Sequence, residues 1–204
     1  MTERVITYID GFNLYFGLKD SGWKRYYWLD LYRLAESLTK PHQTLVAVKY
    51  FTSRISSPPD KQKRQATYLE ALATIPNLTI VYGKYQTNVH RCPTCKATEY
   101  IPSEKMTDVN IAVEMLGDAY ENMFDTALLI SADSDLGPPV AKVHALFSSK
   151  RVIVAFPPKR SSKELMKLAK AHFQIGRVTI ERSQLEDEVT KADGYVLKRP
   201  SKWR

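Results

Sequence analysis

Cysteine is scarce in this chain, with two in 204 residues, Cys92 and Cys95. So few exclude a disulfide framework, and a cytosolic protein does not use so close a pair as a structural bridge. Long apolar runs are missing too, since no stretch approaches the ~20 residues that span a bilayer. The opening residues, Met1-Thr-Glu-Arg-Val5, have neither a basic leader nor a long apolar core. No signal peptide is read, and the expected compartment is cytoplasmic. There is no internal repeat and no low-complexity block. Acidic residues are in deficit: 22 Asp and Glu stand against 30 Lys and Arg, giving a formal net charge of +8 and a pI near 9.4. That balance favours a polyanionic partner such as nucleic acid, although many basic proteins bind none.

What is present is ordinary globular material, 44% hydrophobic and 25% charged, enough for one domain with a good core. Strands are expected over 4–9, 44–51, 78–82, 125–131 and 151–156, from β-branched and apolar runs. Helices are expected over 29–38, 60–75, 107–120, 136–147 and 162–171, from apolar residues three and four apart. Gly17 and Gly22 should interrupt the segment after the first strand. The 107–120 helix carries Ala112, Val113, Leu116 and Ala119 on one stripe, and Asp108 shares with Ala112 and Met115 or Leu116 a stripe that should pack on the sheet, with Thr107 as the cap. Residues 173–180 read as a last short strand or extended segment. Residues 84–104 are polar and break the rhythm, so they read as an insertion. The expected organisation is one domain over 1–182 and a C-terminal tail over 183–204 that is mobile at its end. Strands alternating with helices predict an α/β fold with a mostly parallel sheet.

The chemistry gathers at strand ends. The first strand runs into Asp10-Gly-Phe-Asn13, and the fourth into Ser131-Ala-Asp-Ser-Asp135. In a parallel sheet, ligands bind beyond the carboxyl ends of the strands, where strand order reverses. If these two strands are neighbours, Asp10, Asp133 and Asp135 share one edge with Asn13. Asp108, in the first turn of its helix, should point inward at the same edge. Its plainer reading is an acid favoured by the helix dipole. Asp135 is also readable as a helix cap, and Ser131 and Ser134 as turn residues or donors to a carboxylate. Hard carboxylate oxygens select Mg²⁺ or Mn²⁺, and such a site performs metal-assisted phosphate chemistry.

Three motifs in order, Tyr8-Ile-Asp-Gly-Phe-Asn13, Glu104 to Leu116, and Leu129-Ile-Ser-Ala-Asp-Ser-Asp-Leu136, resemble the NYN domain family. The likeness is to its LabA-like branch, within the PIN-like nuclease superfamily. The resemblance spans roughly residues 3 to 180. It implies a Rossmann-like three-layer α/β/α sandwich and a metal-dependent ribonuclease. By motif, Asp10, Asp108 and Asp133 match the family's metal ligands, Asp135 a fourth acid, and Asn13 the asparagine after the first strand. The expected activity is endonucleolytic hydrolysis of single-stranded or flexible RNA. The alternatives are a non-catalytic RNA-binding module and a Toprim-like phosphotransfer enzyme.

His90, Cys92 and Cys95 offer three zinc ligands, half of a zinc ribbon. A homodimer would supply the other half; the plainer reading is a surface loop with reduced thiols. Trp23-Lys-Arg25 interleaves an aromatic with bases and is an RNA-binding candidate, because single-stranded bases stack on aromatic rings. Tyr27 and Trp28 are assigned to packing. Lys105 precedes Asp108 and is a phosphate-facing candidate. Lys159, Arg160, Lys163 and the bases of the tail are candidates to follow a phosphate backbone.

Overall fold

The computed structural model describes residues 2–204 except 92, and for 85–90 and 99–104 it describes the backbone alone. Its centre is a six-stranded sheet built from β1 (Glu3–Asp10), β2 (Gln43–Thr52), β3 (Leu78–Tyr82), β6 (Thr126–Ile130), β7 (Arg151–Phe156) and β8 (Ala171–Gln174). All neighbours pair in parallel, in the order β3-β2-β1-β6-β7-β8. The chain builds outward from β1 to β3, then crosses back to lay β6 on the other side of β1. Strand order therefore reverses between β1 and β6, the place where such sheets receive ligands.

Helices cover both faces, as a parallel sheet requires. On one face lie α1 (Gly11–Asp20), α2 (Leu31–Ser37), α3 (Pro59–Leu72) and α7 (Arg177–Arg182), which bury Leu14, Leu34, Leu72 and Ile180 against Val5, Ile9 and Leu128. On the other lie α4 (Thr107–Tyr120), α5 (Gly137–Leu146) and α6 (Lys163–Leu168), which bury Ile111, Met115, Val140 and Leu165 against Ile6, Tyr8 and Leu129. The fold is thus a mostly parallel α/β sandwich of three layers, as the sequence predicts. Among the described residues no helix is long and apolar enough to cross a membrane.

Several local expectations are corrected. Gly17 does not break the first helix; it sits buried within α1, where a Cβ would come 2.8 Å from the Pro157 side chain. Gly22, with φ +72, lies just beyond the helix end. The inward stripe of α4 is Ile111, Met115, Asp118 and Ala119, whereas Val113 is exposed. Met106, at φ 75, is the residue before this helix, and Thr107 is its first residue rather than its cap. Residues 84–104 hold a two-stranded antiparallel hairpin, β4 (Lys84–Arg91) with β5 (Thr98–Lys105). After β8 the chain turns into α7, so the extended reading holds for Ala171–Gln174 and not for 177–180.

The tail is also ordered. It forms the hairpin of β9 (Glu188–Thr190) with β10 (Val196–Lys198) and ends with Trp203 packed against Trp28, Tyr27 and Tyr68. Burial of this size of aromatic surface holds a terminus that charge alone would leave free. Its bases are engaged at the surface: Lys198 with Glu188, Arg199 with Asp187 and Lys202 with Asp60.

Candidate active site

Side chains alternate along β1, which sends Tyr8 and Asp10 to the α4 face and Ile9 to the other. Asp10 ends the strand, buried, and its Oδ1 accepts the backbone N–H of Asn13 at 2.9 Å, capping α1. The sharp turn passes so close to β2 that a Cβ on Gly11 would lie 2.7 Å from the Phe51 carbonyl oxygen and the Tyr50 ring. Only glycine fits there, which accounts for the Asp10-Gly11 pair.

Parallel pairing sets Ile9 beside Ile130, so Asp10 and Ser131 end their strands side by side. Buried Ser131 donates its hydroxyl to Asp10 Oδ2 at 2.8 Å and accepts the N–H of Asp133 at 3.0 Å. Asn13 closes the frame, its Oδ1 accepting the N–H of Ala132 at 3.1 Å. Asp133 is half-buried and accepts the N–H of Asp135 at 3.0 Å, capping a short 3₁₀ turn over Ser134–Leu136. The cap of that turn is therefore Asp133. Asp135 lies within the turn, exposed to solvent.

Asp108 joins from α4, half-buried at the start of the helix. Burial pushes its carboxyl up to about 6, and the charges of Asp10, Asp133 and Asp135 push in the same direction. All four predicted acids thus share one electrostatic neighbourhood. They are not drawn into contact. Among the described residues, no three Asp, Glu, His or Cys side chains are gathered closely enough to hold a metal ion. Two of the four, Asp10 and Asp133, are turned to backbone N–H groups. Like charges also repel in the absence of a countercharge. The donors are hard oxygens with solvent access through Asp133 and Asp135, a set that fits Mg²⁺ or Mn²⁺ better than soft-ligand metals.

The other predicted residues fall elsewhere. Trp23, Lys24 and Arg25 follow the far end of α1, about 15 Å of helix from Asp10 at 1.5 Å per residue. Trp23 is half-buried and packs edge-on to Tyr26, and Arg25 lies over the Tyr26 ring and pairs with Glu181. Only Lys24 is uncommitted in those interactions. Trp28 is fully buried and Tyr27 half-buried, the packing roles expected of them. Lys105 is exposed at the end of β5, opposite Lys84. Lys159 donates to the Asp20 carbonyl at 3.1 Å, and Arg160 pairs with Asp20. Cys95 is a free, exposed cysteine. The Cys92 reading and the His90 side chain lie outside the described residues.

One pair at this edge escaped the sequence. Just past β2, the Arg54 guanidinium stacks over the ring of Tyr82, the last residue of β3, 4.9 Å from its centre. Arg54 also donates to the Tyr82 hydroxyl at 3.2 Å, and Asn110 in the first turn of α4 donates to the Tyr82 carbonyl at 3.4 Å. The legible signal was an aromatic and a base just beyond two adjacent strand ends.

Comparison with known proteins agrees with this fold. The chain is 27% identical over 177 residues to 6-hydroxy-3-succinoylpyridine 3-monooxygenase HspA of Pseudomonas putida, an alignment covering 70% of this chain and 56% of that protein. The chain thus spans little more than half the length of that relative. Among solved structures it is similar to a protein of unknown function from Vibrio parahaemolyticus, with a TM-score of 0.56 and 18% identity, covering 86% of this chain and 94% of the other. At that identity the likeness concerns the fold. The model of the NYN domain matches residues 4–176, nearly the whole of the three-layer unit, and the chain belongs to the NYN domain family of PIN-like nucleases.

Proposed function

We propose that this protein is a Mg²⁺- or Mn²⁺-dependent endoribonuclease whose site is Asp10, Asp108, Asp133 and Asp135, with Asn13 as a positioning residue. The observation that carries the reading is that Asp10 and Ser131 end neighbouring strands beside Asp133 and the start of α4, so that four acids share one neighbourhood and the carboxyl of Asp108 is pushed up to about 6. Such an arrangement is costly without a cation and favourable with one.

A bound divalent ion supplies Lewis acidity at the phosphoryl oxygen and a more acidic water. Asp10, Asp108 and Asp133 would hold it, with Asp135 at the solvent side. The hydroxyl of Ser131 keeps one oxygen of Asp10 fixed, so the carboxylate presents a defined edge. Asn13, its oxygen committed to Ala132, can turn its amide N–H toward a phosphate or water. Water adds to phosphorus, the bridging P–O bond breaks, and the leaving oxygen takes up a proton. Arg54 over Tyr82 offers a cation and a ring face to a nucleotide beside the site, suited to single-stranded RNA.

The test is cleavage of a flexible RNA by purified protein with Mn²⁺, with EDTA, and in Asp10→Asn and Asp133→Asn. Both substitutions keep an oxygen that can cap the backbone. The expected result is cleavage that needs Mn²⁺ and is lost in both variants, together with a Mn²⁺-induced rise in melting temperature that they also lose. Cleavage that survives both substitutions overturns the assignment. RNA binding that needs neither metal nor aspartates, without turnover, would favour the binding-module reading.

A further inference from the structure

The helix α4 is apolar on two opposite faces. Its inward face, Ile111, Met115 and Ala119, packs on the sheet. Its outward face carries Val109, Val113 and Tyr120, which are 61%, 62% and 82% exposed, with half-buried Leu116 among them. A surface helix of a globular protein normally turns charged and polar residues outward. Here the outward charges are missing from the centre of the face. Met106 and Met123, both exposed, extend it at either end.

The spacing is specific. Val109, Val113, Leu116 and Tyr120 recur at intervals of four, three and four, the alternation that seats one helix along another. The positions flanking this seam that reach the surface are Asn110, Ala112 and Gly117, all uncharged and mostly small. Gly117 is exposed, and a Cβ there would meet nothing within 4 Å. Glycine in mid-helix weakens the helix, and no packing among the described residues requires it. A second backbone approaching closely along the seam would.

We infer that α4 is a homodimer interface, pairing antiparallel with α4 of a second copy across the Val109–Val113–Leu116–Tyr120 seam. An antiparallel pairing centred between Val113 and Leu116 sets these two against each other, Val109 against Tyr120 and Met106 against Met123. It also brings Glu121, just past the helix end, toward the exposed Lys105 that precedes the helix of the other copy, so opposite charges meet at both ends. The acids nearer the centre, Glu114 and Asp118, are already held by Lys49 within their own chain. Two chains of net charge +8 thus meet on a face without clustered bases. The exposed seam supplies on the order of 500 Å² of apolar surface per copy, and its neighbours bring this toward the roughly 800 Å² per partner of a standard interface. Among the described residues, no other helix exposes a stripe of this spacing to serve as the complement.

The test is the mass of the full chain in solution, by sedimentation equilibrium over a wide concentration range. Wild type is expected to be a dimer, and the double variant V109E/V113E a monomer with a dissociation constant raised at least about 100-fold. Both positions are exposed, and an unchanged far-ultraviolet spectrum and melting transition in dilute solution check the fold. In a background with both native cysteines replaced by serine, Val113→Cys should be joined into a dimer by a short bis-maleimide cross-linker, because the two 113 positions lie one step apart across the seam. Val178→Cys, 58% exposed on α7, should not. A wild-type monomer at every concentration, or a dimer that survives V109E/V113E, overturns the inference. The former outcome would leave the seam to a partner of different sequence.

Discussion

Two groups of acids meet the same helix at different points along it, and they are treated differently. Beyond its first turns, Asp118 and Glu114 of α4 face a cation that the chain itself provides. Lys49 Nζ lies 2.6 Å from Asp118 and 2.7 Å from Glu114, and the hydroxyl of buried Tyr8 donates to Asp118 at 2.6 Å. Burial opposes the charge of Lys49, yet the hydrogen bonds and charges of these acids hold its pKa above the usual lysine value. The Tyr8 hydroxyl is pushed far up, first by burial and then by its bond to Asp118. At the start of α4, Asp108 faces three further carboxylates, and its own is pushed up. An acid paired internally is part of the structure. An acid set among other acids is favoured by a cation supplied from solution.

The contrast is broken most sharply by exchanging one member of each group. If Asp108 is a cation ligand, as proposed, Asp108→Asn should lower RNA cleavage at least ~100-fold while the protein stays folded. Asp118→Ala should do the opposite. It strands the Tyr8 hydroxyl and leaves Lys49 with Glu114 alone, at a cost of about 3 kcal/mol in urea unfolding, while activity per folded molecule is retained. If Asp118→Ala abolishes activity in folded protein, or Asp108→Asn leaves it intact, the division between structural and catalytic acids fails.

A smaller effect sharpens the same division. The carboxyl of Asp108 titrates near 4 when unfolded and about 6 when folded. Between those values the folded state holds the extra proton, so stability falls as pH rises from about 4 to 6. In metal-free protein, Asp108→Asn should therefore be more stable than wild type at pH 7.5, by about 1 kcal/mol after allowance for solvent screening of a half-buried group. The two should converge below pH 4. Equal stability at pH 7.5, by denaturant titration in EDTA, would place Asp108 outside the acidic neighbourhood.

Much of this edge was legible in residue order. Asp10 after β1 and Asp133 after β6 follow apolar runs that could only be buried strands, and a parallel sheet places such ends together. Asp108 shares the electrostatic neighbourhood of these acids, and of the stripe expected beneath it Met115 is buried inward while Ala112 and Leu116 are only half-buried. The run Ala112, Val113, Leu116 looks like a core face by periodicity, because periodicity does not tell which of two apolar faces meets the sheet. The Lys49–Asp118–Tyr8 pairing joins residues from three elements far apart in the chain, which no local pattern reveals. The ordered tail was hidden for a similar reason. Its charges suggested solvent, while its anchor is a single tryptophan, Trp203, whose site exists only once Trp28 and Tyr68 are packed.

Whether the acids at the β1–β6 edge hold a cation is read by titrating Mn²⁺ at pH 7.5 and following free Mn²⁺ by its electron paramagnetic resonance signal. Wild type and Asp118→Ala should each take up at least one Mn²⁺, and Asp10→Asn and Asp133→Asn should lose that uptake. Wild-type protein that leaves the free Mn²⁺ signal unchanged, or uptake undiminished in both aspartate variants, would contradict metal binding there.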